Sequence, residues 1–203
     1  MLLDYAAVFV FALTGALVAS RAQLDIVGFV FLACLTATGG GTLRDLILNR
    51  DAVFWVREPA ILMVATAAAV LIFFTAHLAE SRYRWLLWLD AAALSVAVAA
   101  GVGVALAEAQ PAAIVLLMGV MTGTFGGMLR DVVANEVPLV LKQGELYVTA
   151  AFAGSAAGLA ALQLGAEEPL ALMAAAIVTF ALRAGSVAFG WKLPVYKSRP
   201  PRA

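Results

Sequence analysis

Hydrophobic residues make up 64% of the 203 residues and charged residues only 13%, with a mean hydropathy of +0.99. Soluble domains carry roughly 25% charged residues, so this is the composition of an integral membrane protein. The formal net charge of +0 and the single cysteine, Cys34, argue against a nucleic-acid partner, which needs a basic surface, and exclude an intrachain disulfide or a cysteine metal cluster.

A bilayer core about 30 Å thick needs roughly 20 apolar residues at 1.5 Å each. Seven segments meet that requirement, at about 4–20, 26–48, 60–78, 85–107, 112–134, 147–164 and 170–190. The first follows Met1-Leu2-Leu3-Asp4, which lacks the basic start of a signal peptide, and so reads as a mature spanning helix. Residues 21–25 and 108–111 make short connections. The longer linkers, 49–59 and 135–146, mix Val, Phe, Trp and Leu with charge and are expected to lie along the interface. Trp55, Trp85, Trp88 and Trp191 fall near the predicted interfaces, as an aromatic belt would. The tail 192–203 holds three prolines and four cations and reads as disordered.

Two of these apolar runs carry the same unusual sequence. Thr36-Ala37-Thr38-Gly39-Gly40-Gly41-Thr42-Leu43-Arg44-Asp45 recurs 86 positions later as Thr122-Gly123-Thr124-Phe125-Gly126-Gly127-Met128-Leu129-Arg130-Asp131. The same shift places Asp4 on Asp90, Gly15 on Gly101 and Asn49 on Asn135. The chain therefore divides into a three-helix repeat at 1–84, a second at 85–168, a seventh helix at 169–191 and a tail at 192–203. An odd number of helices per copy makes the second copy enter from the opposite side, giving an inverted repeat. Cations gather on the side of the C-terminus, at Arg21, Arg82, Arg84, Lys142 and the tail, so the N-terminus is expected outside and the C-terminus in the cytoplasm.

Gly39, Gly40 and Gly41 lie about 13–15 residues into the second span. Each glycine costs about 1 kcal/mol of helix propensity relative to alanine, so the three invite a kink or a break in the hydrogen-bond ladder. Gly126 and Gly127 set the same weak point in the fifth span. Irregular backbone inside a membrane is tolerated where it lines a wet cavity. Arg44-Asp45 and Arg130-Asp131 come within a turn of the glycines, and charges at depth usually face a wet path or one another. Adjacent residues point about 100° apart on a helix, so the expected pairs are across the repeat, Arg44 with Asp131 and Arg130 with Asp45. Thr38, Gly41 and Asp45 share one helical face, as do Thr124, Gly127 and Asp131. Hydroxyls, freed carbonyls and a carboxylate on one face suit a weakly held cation. The plain alternative is packing, since Gly119, Gly123 and Gly127 also form a small-residue stripe. Arg183 is left between snorkelling to the interface and anchoring a subunit contact. No phosphate loop, metal cluster or nucleophile–base set stands out, so neither an enzyme nor a cofactor is expected.

The duplicated Gly-Gly-x-Leu-Arg-Asp, at 40–45 and 126–131, in a three-plus-three-plus-one arrangement resembles the prokaryotic branch of the trimeric intracellular cation channel (TRIC) family, over residues 1 to about 190. The resemblance implies a homotrimer with a pore in each protomer, bounded by kinked second and fifth helices, and permeation of K+ and also Na+. It places Gly39, Gly40, Gly41, Gly126 and Gly127 at the kinks and Arg44, Asp45, Arg130 and Asp131 near the pore or gate. Phe125 replaces a third glycine in the second copy, so the two kinks need not be equivalent. Eukaryotic relatives bind phosphoinositide through basic residues near subunit contacts. No such motif is matched here, and Lys142 stands as a candidate lipid contact. Membrane lipids and copies of the chain itself are the partners implied, with no obligatory protein partner. Other bacterial sequences of this pattern are labelled as glycine transporters. The expectation is thus a passive potassium-permeable channel in a bacterial inner membrane, with a carrier of a small zwitterion such as glycine as the alternative.

Overall fold

A computed structural model describes residues 2–78 and 81–196. It contains α1 (Leu2–Arg21), α2 (Ile26–Ile47), α3 (Phe54–Arg57), α4 (Ala60–Thr75), α5 (Arg82–Ala107), α6 (Ala112–Val133), α7 (Val148–Gln163) and α8 (Glu168–Phe189). Six of the seven long segments have the length and hydropathy to cross a bilayer, while α7, with 16 residues, is apolar but shorter. The stretch 197–203, most of the tail expected to be disordered, lies outside the described residues. The beginning of that tail is tied down, because Lys192 makes an isolated antiparallel bridge with Glu145.

The helix ends obey local chemistry. Asp25 caps α2 by accepting a hydrogen bond from the Gly28 amide at 2.8 Å, satisfying one of the orphan N–H groups of a helix start. Both α2 and α6 close on an asparagine in the left-handed region, Asn49 (φ 51°) and Asn135 (φ 56°), a conformation asparagine tolerates. The next amide then reaches back, Arg50 to the Asp45 carbonyl and Glu136 to the Asp131 carbonyl. Gln23 and Ala109 repeat the correspondence at the ends of α1 and α5. The duplication thus reaches the backbone of individual turns.

At the centre stand α1, α2, α5 and α6, with α4 against α1 and α2, α7 against α6, and α8 against α5 and α7. The equivalent helices α1 and α5 run antiparallel, as do α2 and α6. Asp4 and Ala100 line one cavity near one end of α1 and α5, while Arg82 donates to the Ser20 carbonyl at the other. Between α2 and α6 the crossing is close enough to exclude a side chain. A Cβ on Gly40 would land on the Thr122 carbonyl oxygen, and one on Gly126 on the Thr36 carbonyl oxygen.

This corrects the expected role of the glycines. The helix assignment is continuous through Gly39–Gly41 in α2 and through Gly126–Gly127 in α6, so neither helix is broken at its glycines. The missing side chains serve backbone-to-backbone approach, as small residues do between membrane helices. The two long linkers also do more than lie along the interface. One forms α3 and the other a 3-10 turn at Leu139–Leu141, and each is pinned to the end of the preceding helix.

Alanine at Gly40 or Gly126 is therefore expected to cost about 1–3 kcal/mol, the usual range for overpacking, read as a lower thermal midpoint in detergent. Alanine at Gly39 should cost clearly less, because its Cβ would meet only the movable tip of Leu129 at 2.8 Å and the Gly126 Cα at 3.5 Å. Equal effects at Gly39 and Gly40 would remove the crossing from the account.

Candidate functional site

The last turn of α2 delivers Arg44 and Asp45 into the protein interior, where both are 1% exposed. Arg44 Nε donates to Asp45 Oδ1 at 2.8 Å and Nη1 donates to Asp4 Oδ1 of α1 at 3.1 Å. Its guanidinium also lies over the Phe54 ring, 5.4 Å from the centroid, a cation–π arrangement. The second carboxylate oxygen of Asp45 accepts the Phe54 amide at 2.7 Å, which fastens the start of α3. Arg50 donates to Asp45 at 3.3 Å and pairs with Glu108 at 3.0 Å.

The last turn of α6 builds the same object. Arg130 Nε donates to Asp131 Oδ1 at 2.8 Å, and Nη1 donates to Asp90 Oδ1 of α5 at 3.0 Å and to the Thr14 hydroxyl at 2.8 Å. Asp131 Oδ2 accepts the Leu139 amide at 2.8 Å. Arg130 and Asp90 are both fully buried. Moving such charges out of water is costly, and removing one partner leaves the other uncompensated. Each arginine is accordingly served by two carboxylates, one from its chain neighbour and one from the first helix of its own repeat.

These pairings replace the expected cross-repeat pairs, Arg44 with Asp131 and Arg130 with Asp45. The 100° between adjacent Cβ directions does not prevent pairing, because an arginine is long enough to fold its Nε back over the neighbouring carboxylate. Among the described residues, cross-repeat ion pairs are found instead at the helix ends, Arg50 with Glu108 near one end and Arg21 with Glu136 at 3.2 Å near the other.

Between the Arg44 cluster and the α2–α6 crossing is a cavity of about 20 Å³, lined among others by Asp4, Phe11, Thr36, Gly40, Arg44 and Thr122. That is room for about one water molecule. Thr36 donates its hydroxyl to the Leu32 carbonyl at 2.6 Å, while the buried Thr122 hydroxyl makes no hydrogen bond within the protein. Arg44 Nη2, Asp90 Oδ2 and Arg130 Nη2 are likewise buried without a hydrogen-bond partner.

The structure also places the other residues singled out in the sequence. Thr38 and Thr124 donate to the carbonyls of Cys34 and Val120 in their own helices, and the cavity takes Thr36 and Thr122 in their place. Gly39 and Gly40 lie at the α6 crossing, Gly41 makes room for the Phe54 ring, and Gly126 packs on α2. At Gly127 the Tyr147 hydroxyl, Asp90 and Arg130 converge, 3.1, 3.4 and 3.6 Å from where a Cβ would stand. Lys142 donates to the Tyr83 hydroxyl at 2.6 Å. Arg183 neither snorkels nor faces outward. It is 0% exposed and pairs with Glu145 at 2.8 Å, over the Tyr147 ring. Sequence reasoning assigned Asp4 and Asp90 no role, although the 86-residue shift already aligned them. For Tyr147 and Glu145 it offered no signal, because neither has an equivalent in the first copy.

Comparison with known proteins agrees with this geometry. The family model described as "Glycine transporter" matches twice, over residues 1–77 and 87–163, reproducing the duplication. The UPF0126 inner membrane protein YadS of Escherichia coli K12 is 37% identical over 197 residues, 96% of this chain and 94% of the relative. A UPF0126 membrane protein of Vibrio cholerae is 36% identical over 196 residues, 96% of this chain and 82% of the relative. Among solved structures, the TRIC trimeric intracellular cation channel orthologue from Rhodobacter sphaeroides is 48% identical, with a TM-score of 0.90 over 93% of this chain and 97% of that one. With a family match on both halves and near full-length relatives, the chain belongs to this family of bacterial membrane proteins, which the glycine-transporter model describes and the prokaryotic TRIC fold represents.

Proposed function

We propose that this protein is a passive channel for monovalent cations, permeable to potassium, with a pathway inside each protomer of a homotrimer. One observation carries the reading. A set of polar groups, all but the half-buried Asp4 enclosed in the four-helix core, extends from Asp4, Arg44 and Asp45, past Thr36 and Thr122, to Arg130, Asp90 and Asp131. Ionisable groups at membrane depth are expensive and mark ion paths or relays. Arg44 and Arg50 meet Asp4, Asp45 and Glu108 in the first cluster, and Arg130 meets Asp90 and Asp131 in the second, an excess of one negative charge in each that favours a cation over an anion. The likeness to a protein described as a trimeric intracellular cation channel supports both the ion class and the trimer. Opening then requires α2 and α6 to separate beyond the present one-water cavity. The permeant K+ or Na+ passes without a resident cofactor.

The two copies enter the membrane from opposite sides, with α7 completing seven crossings. By the distribution of cations the N-terminus lies outside and the C-terminus in the cytoplasm, in an inner membrane like that of the Escherichia coli relative.

The description of the family model favours a second reading, a carrier of glycine. Carriers with inverted repeats hold a substrate carboxylate on the N-termini of half-helices. Continuous α2 and α6 place no such terminus at the cavity, which favours the channel. Recordings from purified protein in planar bilayers under a KCl gradient separate the two. Ohmic unitary steps that reverse near the potassium potential without glycine are the expected result. Saturating, glycine-dependent uptake into proteoliposomes, with no unitary steps, would replace the channel by a carrier.

Asp45→Asn and Asp131→Asn are each expected to lower potassium conductance several-fold while the oligomer persists. Asparagine keeps an acceptor for the Phe54 or Leu139 amide, and each arginine keeps Asp4 or Asp90. Wild-type currents from both variants would take these carboxylates off the path.

A further inference from the structure

The two charge clusters are alike, but their surroundings are not. At the first, Arg44 rests on Phe54 and faces the small cavity. At the second, a third buried arginine arrives from α8, the helix that has no counterpart in the duplication. Arg183 pairs through Nη1 with Glu145 Oε2 at 2.8 Å and lies over the Tyr147 ring, its Cζ 4.9 Å from the centroid. The Tyr147 hydroxyl in turn converges with Asp90, the partner of Arg130, on the space beside Gly127. Subtracting 86 from Glu145 and Tyr147 gives Pro59 and Ile61, which can make neither contact.

The same short segment is fastened to α8 and the chain after it at further points. The Leu146 amide donates to the Ser186 hydroxyl at 3.2 Å, and that hydroxyl donates to the Trp191 carbonyl at 3.0 Å. The Leu193 amide donates to the Gly144 carbonyl at 2.8 Å, beside the Glu145–Lys192 bridge. Gly190, in the left-handed region at φ 69°, turns the chain back. The Trp191 ring then lies so close to Gly185 that no side chain fits between them. Residues 144–147 are thus strapped between the second charge cluster and the end of α8.

We propose that Arg183 is a positioning residue that holds the Arg130 end of the pathway shut. It does so through Glu145 and Tyr147, and opening at that end requires residues 144–147 to part from α8. This rests on the channel reading above and adds where its gate lies. The pathway is then gated at one end by a helix outside the repeat, while the Arg44 end opens without it. Arg183 itself stays off the ion path, because Tyr147 stands between it and Asp90. A structural role alone would alter folding or assembly. A latch alters how often the channel is open and leaves the current through an open channel unchanged.

The test uses the full chain, purified as its native oligomer, in planar bilayers with symmetric KCl. Glu145→Gln is the primary variant, because Glu145 is 25% exposed at its side chain and its loss leaves the core packed. It should raise open probability by about tenfold or more, in keeping with the coupling of close charge pairs, at unchanged unitary conductance. Arg183→Lys should lie between it and wild type, since an ammonium keeps the charge but not the flat stack on Tyr147. The exchange Glu145→Arg with Arg183→Glu should bring open probability back towards wild type. Independently of any current, amide hydrogen exchange at Leu146 and Tyr147 should speed up in Glu145→Gln.

Wild-type open probability in Glu145→Gln, with faster exchange at those amides, would show a strap that is not the gate and overturn the proposal. A changed unitary conductance at unchanged open probability would put Arg183 on the ion path and overturn it equally. If the wild-type protein passes no potassium while exchange responds as stated, the channel reading fails and the gate fails with it.

Discussion

Burying an arginine in an apolar helical bundle is the constraint on which most of this structure depends. A guanidinium without water needs counter-charge and acceptors close at hand, and both repeated arginines obtain them in the same way. The neighbouring aspartate covers Nε, and an aspartate from the first helix of the repeat, 40 residues earlier, covers Nη1. That arrangement fixes the rotation of α1 against α2 and of α5 against α6. It also leaves the second oxygen of the neighbouring aspartate to accept an amide from the next segment of chain, that of Phe54 in one copy and of Leu139 in the other. Helix ends, loop starts and helix packing are coupled through one ion cluster per repeat.

The duplication then works across the pseudo-symmetry as well as within each copy. Thr36 and Gly40 of α2 face Gly126 and Thr122 of α6, so each repeat supplies a glycine to the other's backbone. The loops trade charges in the reverse sense. Arg50 after α2 meets Glu108 after α5, whereas Glu136, the equivalent of Arg50, meets Arg21 at the end of α1. Exchanging the sign at both ends keeps each pair neutral while making the loops non-identical. Dispersion contacts at the crossing and paired charges at the rims together bind the two copies, where the hydrophobic effect gives little because lipid is as apolar as the core.

Symmetry ends where α8 begins. Its arginine turns the second cluster into a longer chain, from the buried Asp131 and Arg130 through Asp90 and Tyr147 to Arg183 and the partly exposed Glu145. A protein built from two matching halves acquires two different ends by adding one helix.

Much of this was legible in the residues alone. Six of the seven apolar runs became helices long enough to cross a bilayer and the seventh a shorter apolar helix, while the 86-residue shift and the twin Gly-Gly-x-Leu-Arg-Asp segments reappear in matching helix ends. The glycines were legible as exceptions but not in their meaning. Three in a row weaken a helix in isolation, yet α2 stays continuous because α6 packs against the bare backbone and supports it. The aspartate partners of the arginines were also beyond reach, since Asp4 and Arg44, or Glu145 and Arg183, lie about 40 residues apart along the chain. Sequence thus determined what the elements are and that they occur twice. Which carboxylate meets which guanidinium, and which side of a glycine meets another helix, was decided only by tertiary structure, because buried charges and close backbone contacts are satisfied through space by whatever the packing brings within about 3 Å.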